Sequence, residues 1–239
     1  MTSKLFTTLL FLACTFSLIA QSNLLTAKEV LTKSIEYHDP KGKWENGKFD
    51  LKLKESRPNG AFRETELLIN NKQQIFELSQ KRDNRLISRH VKGEQCENRL
   101  DGSSTFSKEE GEKFRLDCAY STRMKDYYVY LYGLPMKLKD PGTILKEEVA
   151  LKDFQGTKLL EIKVTYDPEV GADTWYFYFD PSTYALSGYR FYHDESKNDG
   201  EYILLTGEEP IGPLRLPKTR AWYTHKEDKL LGTDELVKK

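Results

Sequence analysis

One pattern in the second half of the chain narrows the choice of fold more than any other. From Lys158 to Leu236 the sequence is a series of short runs closed by turns, with no helical period between them. Lys158–Tyr166 is followed by the turn Asp167–Gly171. Thr174–Asp180 is followed by Pro181-Ser182-Thr183, and Ala185–His193 by Asn198-Asp199-Gly200, a strong hairpin sequence. Glu201–Leu205, Lys218–His225 and Lys229–Leu236 complete the series. Parallel strands need long crossovers, so strands joined this tightly pair antiparallel. The expectation is an antiparallel meander.

The first half adds helices and more strands. Thr26-Ala27-Lys28-Glu29 is a capping box, and Ala27, Val30, Leu31, Ser34, Ile35 and His38 follow at helical spacing until Asp39-Pro40. The period then changes to two. Phe49, Leu51 and Leu53 alternate with charged residues, and Phe62–Ile69, Gln74–Ser79 and Leu86–Val91 continue the pattern. Tyr127–Tyr132 is apolar or aromatic throughout. Propensity makes it a strand; the run Arg123–Gly133 equally makes a short buried helix stopped by Gly133 and Pro135. No internal boundary appears, so residues 23–239 read as a single domain.

The N-terminus reads as an address. A short basic start at Met1–Lys4, an uncharged apolar run Leu5–Ile19 and the small residues Ala20-Gln21-Ser22 have the layout of a secretory signal peptide over residues 1–22. Phe11-Leu12-Ala13-Cys14 is a loose lipobox, so lipid anchoring through Cys14 is the lesser reading. Removing the leader leaves Cys96 and Cys118, which in an exported, periplasmic protein are expected to pair and staple a polar segment that buries little. A metal or redox pair is the rival, without a CxxC or further ligands to support it.

Lys+Arg and Asp+Glu both number 37, so the chain lacks the basic surplus of a nucleic-acid binder. Neither GxGxxG nor a phosphate-binding GKS/GKT occurs, nor GxSxG or HExxH, and no cofactor or metal is implied. His38-Asp39 and His193-Asp194 each set a histidine beside a carboxylate. Paired, they would suit an envelope hydrolase; separately, they are a helix-end and a turn histidine. Lys218, Arg220, Trp222, Tyr223 and Lys226 read as an amphipathic strand with solvated charges. The strand Thr174–Asp180 is aromatic on both faces, with Trp175, Phe177 and Phe179 on one and Tyr176 and Tyr178 on the other. Tyr189 and Phe191 repeat the theme next door. Such strands are either covered on both sides or line an apolar cavity.

Several long phrases carry a resemblance: Tyr37-His38-Asp39-Pro40, Tyr130-Leu131-Tyr132-Gly133-Leu134-Pro135, Lys139-Asp140-Pro141-Gly142, Val164-Thr165-Tyr166, Asp173–Pro181 and Tyr189–Glu195. With these the chain resembles an uncharacterised family of exported proteins from Bacteroidota. The order of elements is similar, more distantly, to the periplasmic lipoprotein-carrier superfamily. That resemblance implies a mainly β fold with minor α: a strongly curved antiparallel sheet, a half-open barrel with helices packed on its concave side. It also favours the helical reading of Tyr127–Tyr132. The expected function is non-catalytic binding of a lipid or other amphipathic ligand. Trp175, Phe177, Phe179, Tyr189 and Phe191 would give apolar contact, and Tyr128 and Leu131 would contribute from a helical lid. The alternatives are the hydrolase, and a structural or partner-binding module with a filled core, whose partner would be an envelope protein.

Overall fold

The computed structural model describes residues 25–238. The leader expected over residues 1–22, and Cys14 within it, lie outside the described residues.

Helix α1 (Ala27–His38) starts at the expected capping box: Glu29 N–H donates to Thr26 Oγ1 at 3.3 Å, and Thr26 N–H donates to Glu29 Oε2 at 2.8 Å. Its buried face carries Val30, Leu31, Ser34 and His38. After it, Asp39 accepts hydrogen bonds from the backbone of Lys43 and Trp44 at 2.7 and 2.8 Å, which turns the chain into the sheet.

Five strands follow in sequence: β1 (Lys48–Ser56), β2 (Phe62–Asn70), β3 (Ile75–Arg82), β4 (Arg85–Lys92) and β5 (Gln95–Leu100). Helices α2 (Lys108–Phe114) and α3 (Cys118–Gly133) come next, with a 3-10 turn at Met136–Lys139. The remaining strands are β6 (Thr143–Phe154), β7 (Thr157–Tyr166), β8 (Thr174–Phe179), β9 (Leu186–Tyr192), β10 (Glu201–Ile211), β11 (Leu214–Thr224) and β12 (Leu230–Val237). All pair antiparallel in one twelve-stranded sheet, ordered β5-β4-β3-β2-β1-β12-β11-β10-β9-β8-β7-β6. The sheet is two meanders zipped together where β1 meets β12, with Leu53 opposite Leu236.

The expected curved sheet with helices on one face is what the structure has, and α3 explains the curvature. Arg89 of β4 and Asn98 of β5 hydrogen-bond to α3 and the turn before it, near one edge of the sheet. Tyr130 of the same helix packs on Tyr166 of β7 and Trp175 of β8, near the other edge. Twelve flat strands would span about 50 Å, whereas a helix of 16 residues is about 24 Å long. The sheet therefore curls around α3 without closing into a barrel. The main core fills the concavity with Leu51, Leu53, Phe76, Tyr132, Phe177 and Leu236 among its buried members.

The outer face of the C-terminal half is covered as well. Phe154 folds over it and stacks on Tyr178 at 3.9 Å between ring centroids, with Arg190 above both rings. Gly188 makes the space, since a Cβ there would meet the Phe154 ring at 2.3 Å. The strand Thr174–Phe179 is thus covered on both sides over Phe177, Tyr178 and Phe179, while Thr174, Trp175 and Tyr176 are only half-buried.

Four expectations need correction. The segment between the cysteines is not merely a polar loop. It contains β5 and α2, and it buries Phe114 and Leu116 against Ile87 and Leu100 in a small second core. The alternation there is short and charge-diluted, so its few apolar residues carried little periodic signal. Asn198-Asp199-Gly200 does not close a tight hairpin; it ends a longer loop in which Asp199 accepts from the backbone of His193 and Asp194. Strands β10 and β11 run past Leu205 and Lys218 to a tip at Gly212. Beyond Leu204 and Thr219 they pair only with each other, so Pro210 and Pro217 sit on a two-stranded ribbon with a free side. Finally, Arg220 is not solvated. It is 1% exposed, with its guanidinium 4.1 Å from the ring centre of Tyr132.

Cys96 and Cys118 are joined by a disulfide, 22 residues apart in sequence. It ties β5 to the first residue of α3. Replacing both cysteines by serine should lower the unfolding free energy by about 3 kcal/mol, the chain-entropy contribution for a loop of this length. Urea denaturation of the variant against the oxidised protein measures it, and an unchanged midpoint would contradict the staple's role.

Candidate functional site

The strands that meet the middle of α3 do not fill the space beside it. A cavity of about 570 Å³ opens between α3 and the ends of the C-terminal strands. Tyr127, Tyr130 and Leu131 supply the helix side; Trp175 of β8, Phe191 of β9 and Trp222 of β11 supply the sheet side. The rings form one connected wall. Trp175 and Phe191 are stacked at 4.8 Å, Tyr130 meets Trp175 edge-on at 5.8 Å, and Tyr127 lies over Trp222 at 6.3 Å. Trp175, Phe191 and Trp222 are each only half-buried by the protein's own atoms.

Two of these side chains are fixed by hydrogen bonds. Trp222 Nε1 donates to Asp234 Oδ2 at 3.0 Å, which fixes the indole plane. Tyr130 and Tyr166 share a hydrogen bond between their hydroxyls. Burial, then the neighbouring Tyr166, raises Tyr130 far above the ordinary phenol range, so it stays neutral. Gly232 lets Arg57 lie across β12, because a Cβ there would meet Arg57 Nη1 at 2.5 Å.

Charge is confined to the mouth. Arg57 Nη1 donates to Asp234 Oδ1 at 3.0 Å, and its Nη2 lies 4.0 Å from Glu55 Oε1. Glu55, 3% exposed, is in turn gripped by Arg63 through Nε at 2.7 Å and Nη2 at 2.5 Å. Burial, reinforced by Glu55, raises the Asp234 carboxyl above its ordinary value. On the opposite side His193 Nδ1 sits 2.8 Å from Asp173 Oδ1, and this hydrogen bond raises the imidazole above its ordinary value. Glu201 and Asp126 complete the mouth.

Residues 6–239 match the family of unknown function DUF6503. The chain belongs to this family. No curated protein matches the sequence. Among solved structures, a LolA-superfamily protein from Nitrosomonas europaea is similar with a TM-score of 0.50, covering 90% of this chain and 92% of that one at 11% identity. A domain described as an outer membrane lipoprotein-sorting protein domain, from Vibrio parahaemolyticus, gives a TM-score of 0.46 over 88% and 89% of the two chains at 9% identity. The first of these likenesses establishes a LolA-like fold for this DUF6503 member.

The residues singled out from the sequence divide in two. Trp175, Phe191 and Leu131 line the cavity. Phe177, Phe179, Tyr189 and Tyr128 do not: all four are sealed in the core beneath it, with Tyr128 4% exposed and the others 0%. Alternation places residues on a face but does not say how far along the strand the helix reaches. Trp222, Tyr127, Tyr130 and Glu201 went unassigned. Their one legible signal is Trp222 on the same alternating face as Arg220, which was read as solvated.

The two histidines are not brought together. His38 is buried against Leu186 at one end of β9: its Nε2 accepts from Leu186 N–H at 2.9 Å, and Nδ1–H donates to the Arg215 carbonyl at 2.5 Å. His193 follows the other end of the same strand, seven residues away, or about 20 Å along an extended chain. That separation removes the paired hydrolase site. Burial, the largest influence, pushes His38 below its ordinary value of 6.5. Above pH 6.5 both folded and unfolded His38 are neutral; below it the unfolded chain takes a proton that the folded protein refuses, so stability falls. The melting temperature of the wild type should therefore drop more steeply below pH 6.5 than that of His38→Gln. Parallel curves would contradict the neutral, doubly bonded imidazole.

Proposed function

We propose that this protein binds a lipid or other amphipathic molecule, without catalysis, in the cell envelope. The apolar part of the ligand occupies the cavity beside α3, and its polar end lies at the charged mouth. The observation that carries this reading is the half-covered aromatic wall of Trp175, Phe191 and Trp222 around a space of about 570 Å³. Ligand cavities commonly hold about 300–1,000 Å³, and large rings left partly bare gain roughly 25 cal/mol per Å² when a ligand covers them. The LolA-like fold supports the same reading, as does the leader-like N-terminus of the sequence. A disulfide fits an oxidising compartment such as the periplasm.

One observation favours the filled-core alternative. The helices occupy most of the concavity, and Phe177, Phe179, Tyr189 and Tyr128 have no room for a ligand. On that reading the protein acts through a protein partner, and the cavity is a packing remnant. Native mass spectrometry with organic extraction, on protein purified from its own host, separates the two. The expected result is a co-purifying mass that extracts as an amphiphile and is lost in the double variant Trp175→Ala/Trp222→Ala. A wild-type protein carrying no adduct would favour the filled core.

A further inference from the structure

The mouth of the cavity has more acid than base once its internal pairs are accounted for. Three carboxylates stand there: Asp126 of α3, Asp173 just before β8, and Glu201 at the start of β10. Two groups can carry positive charge. Arg57 is held by Asp234 at 3.0 Å and lies 4.0 Å from Glu55, both of them buried. His193 is bound to Asp173 at 2.8 Å. Asp126 has Lys125 at 3.7 Å on the exposed surface.

Glu201 is different. Among the described residues its side chain has no hydrogen bond and no ion pair, although it is half-buried. Partial burial raises its carboxyl above the ordinary value, and nearby His193 works against that shift. Its charged neighbour His193 is already bound to Asp173, and a carboxylate drawn partly out of water with so little counter-charge is unfavourable. A cation entering the cavity would relieve it.

The aromatic wall points to the same class of ligand. A cation within about 6 Å of the centre of a tryptophan, tyrosine or phenylalanine ring is attracted by the ring quadrupole, and aromatic cages recognise quaternary ammonium groups in this way. Here Trp175, Phe191 and Trp222 line the cavity from the sheet, and Tyr127 and Tyr130 line it from α3. An anionic head group would meet Glu201, Asp173 and Asp126, and among the described residues lining the cavity Arg57 and His193 are already paired with carboxylates.

We infer that the cavity takes an amphiphile whose head group is an ammonium, with Glu201 as its counter-ion and the half-buried rings of Trp175, Phe191 and Trp222 beside it. This rests on the reading of the cavity as a ligand site. It narrows the ligand from amphiphiles in general to amine-bearing ones.

The test compares three amphiphiles that share a dodecyl chain and differ only in the head: dodecyltrimethylammonium, dodecyl sulfate and dodecyl maltoside. Each is titrated below its micelle concentration, with tryptophan fluorescence as readout and circular dichroism to confirm that the fold persists. The ammonium compound should bind about tenfold more tightly than the other two. Glu201→Gln should bring it down to the affinity of the maltoside, and Asp173→Asn should move it the same way by a smaller factor. Equal affinities for all three heads, or a preference that survives Glu201→Gln, would overturn the inference and leave the cavity as a site for apolar chains. Failure of all three to bind would remove the ligand site itself.

Discussion

Two buried arginines hold α3 in the concavity, and neither is part of an ion pair among the described residues. Arg89, 5% exposed, rises from β4 and donates to the carbonyls of Phe114 and Arg115 and to Ser121 Oγ. Arg220, from β11, donates to the carbonyl of Leu131 in the last turn of the same helix. Helix ends leave carbonyls without intrahelical partners, and a guanidinium beside them is favoured by the helix dipole. Arg89 thus serves the end of α2, just before α3 begins, and Arg220 the end of α3. A burial that would be unfavourable for an isolated cation becomes a positional constraint. The disulfide and the Asn98–Ser121 hydrogen bond add to the first clamp.

The position of α3 decides what is core and what is cavity. Its buried side, with Tyr128, Leu131 and Tyr132, covers the lower rows of the sheet. Its other side meets the ends of β8 to β12 less closely. Trp175, Phe191 and Trp222 are therefore left half-buried. The same aromatic residue types fill both roles, and their burial in the tertiary structure separates them.

The strands were legible because a half-buried sheet writes a period of two into its sequence. β1, with Phe49, Leu51 and Leu53 buried between charged residues, is the clearest example. β6 was invisible for the complementary reason. As an edge strand it buries only Phe154 fully, so its alternation has little apolar contrast. The aromatic run within α3 was ambiguous by period, since every residue in it could be inside. In the cavity, Trp175 and Phe191 stood out as bulky neighbours on adjoining strands. Trp222 belongs to the same wall, but it sits on a strand whose arginine looked like a surface residue. Nothing local distinguishes an arginine that meets water from one that meets a helix carbonyl.

Local pattern was enough to establish the antiparallel meander, the capped first helix, the pairing of Cys96 with Cys118 and the expectation of an aromatic-rich interior. Each of these depends on residues close in sequence or on simple counting. The curl of the sheet, the burial of Arg89 and Arg220, the separation of His38 from His193 and the half-buried position of Glu201 depended on the tertiary structure. These features are set by contacts between elements far apart in the chain. Their free energies depend on what each side chain meets across the concavity, and no spacing along the sequence records that.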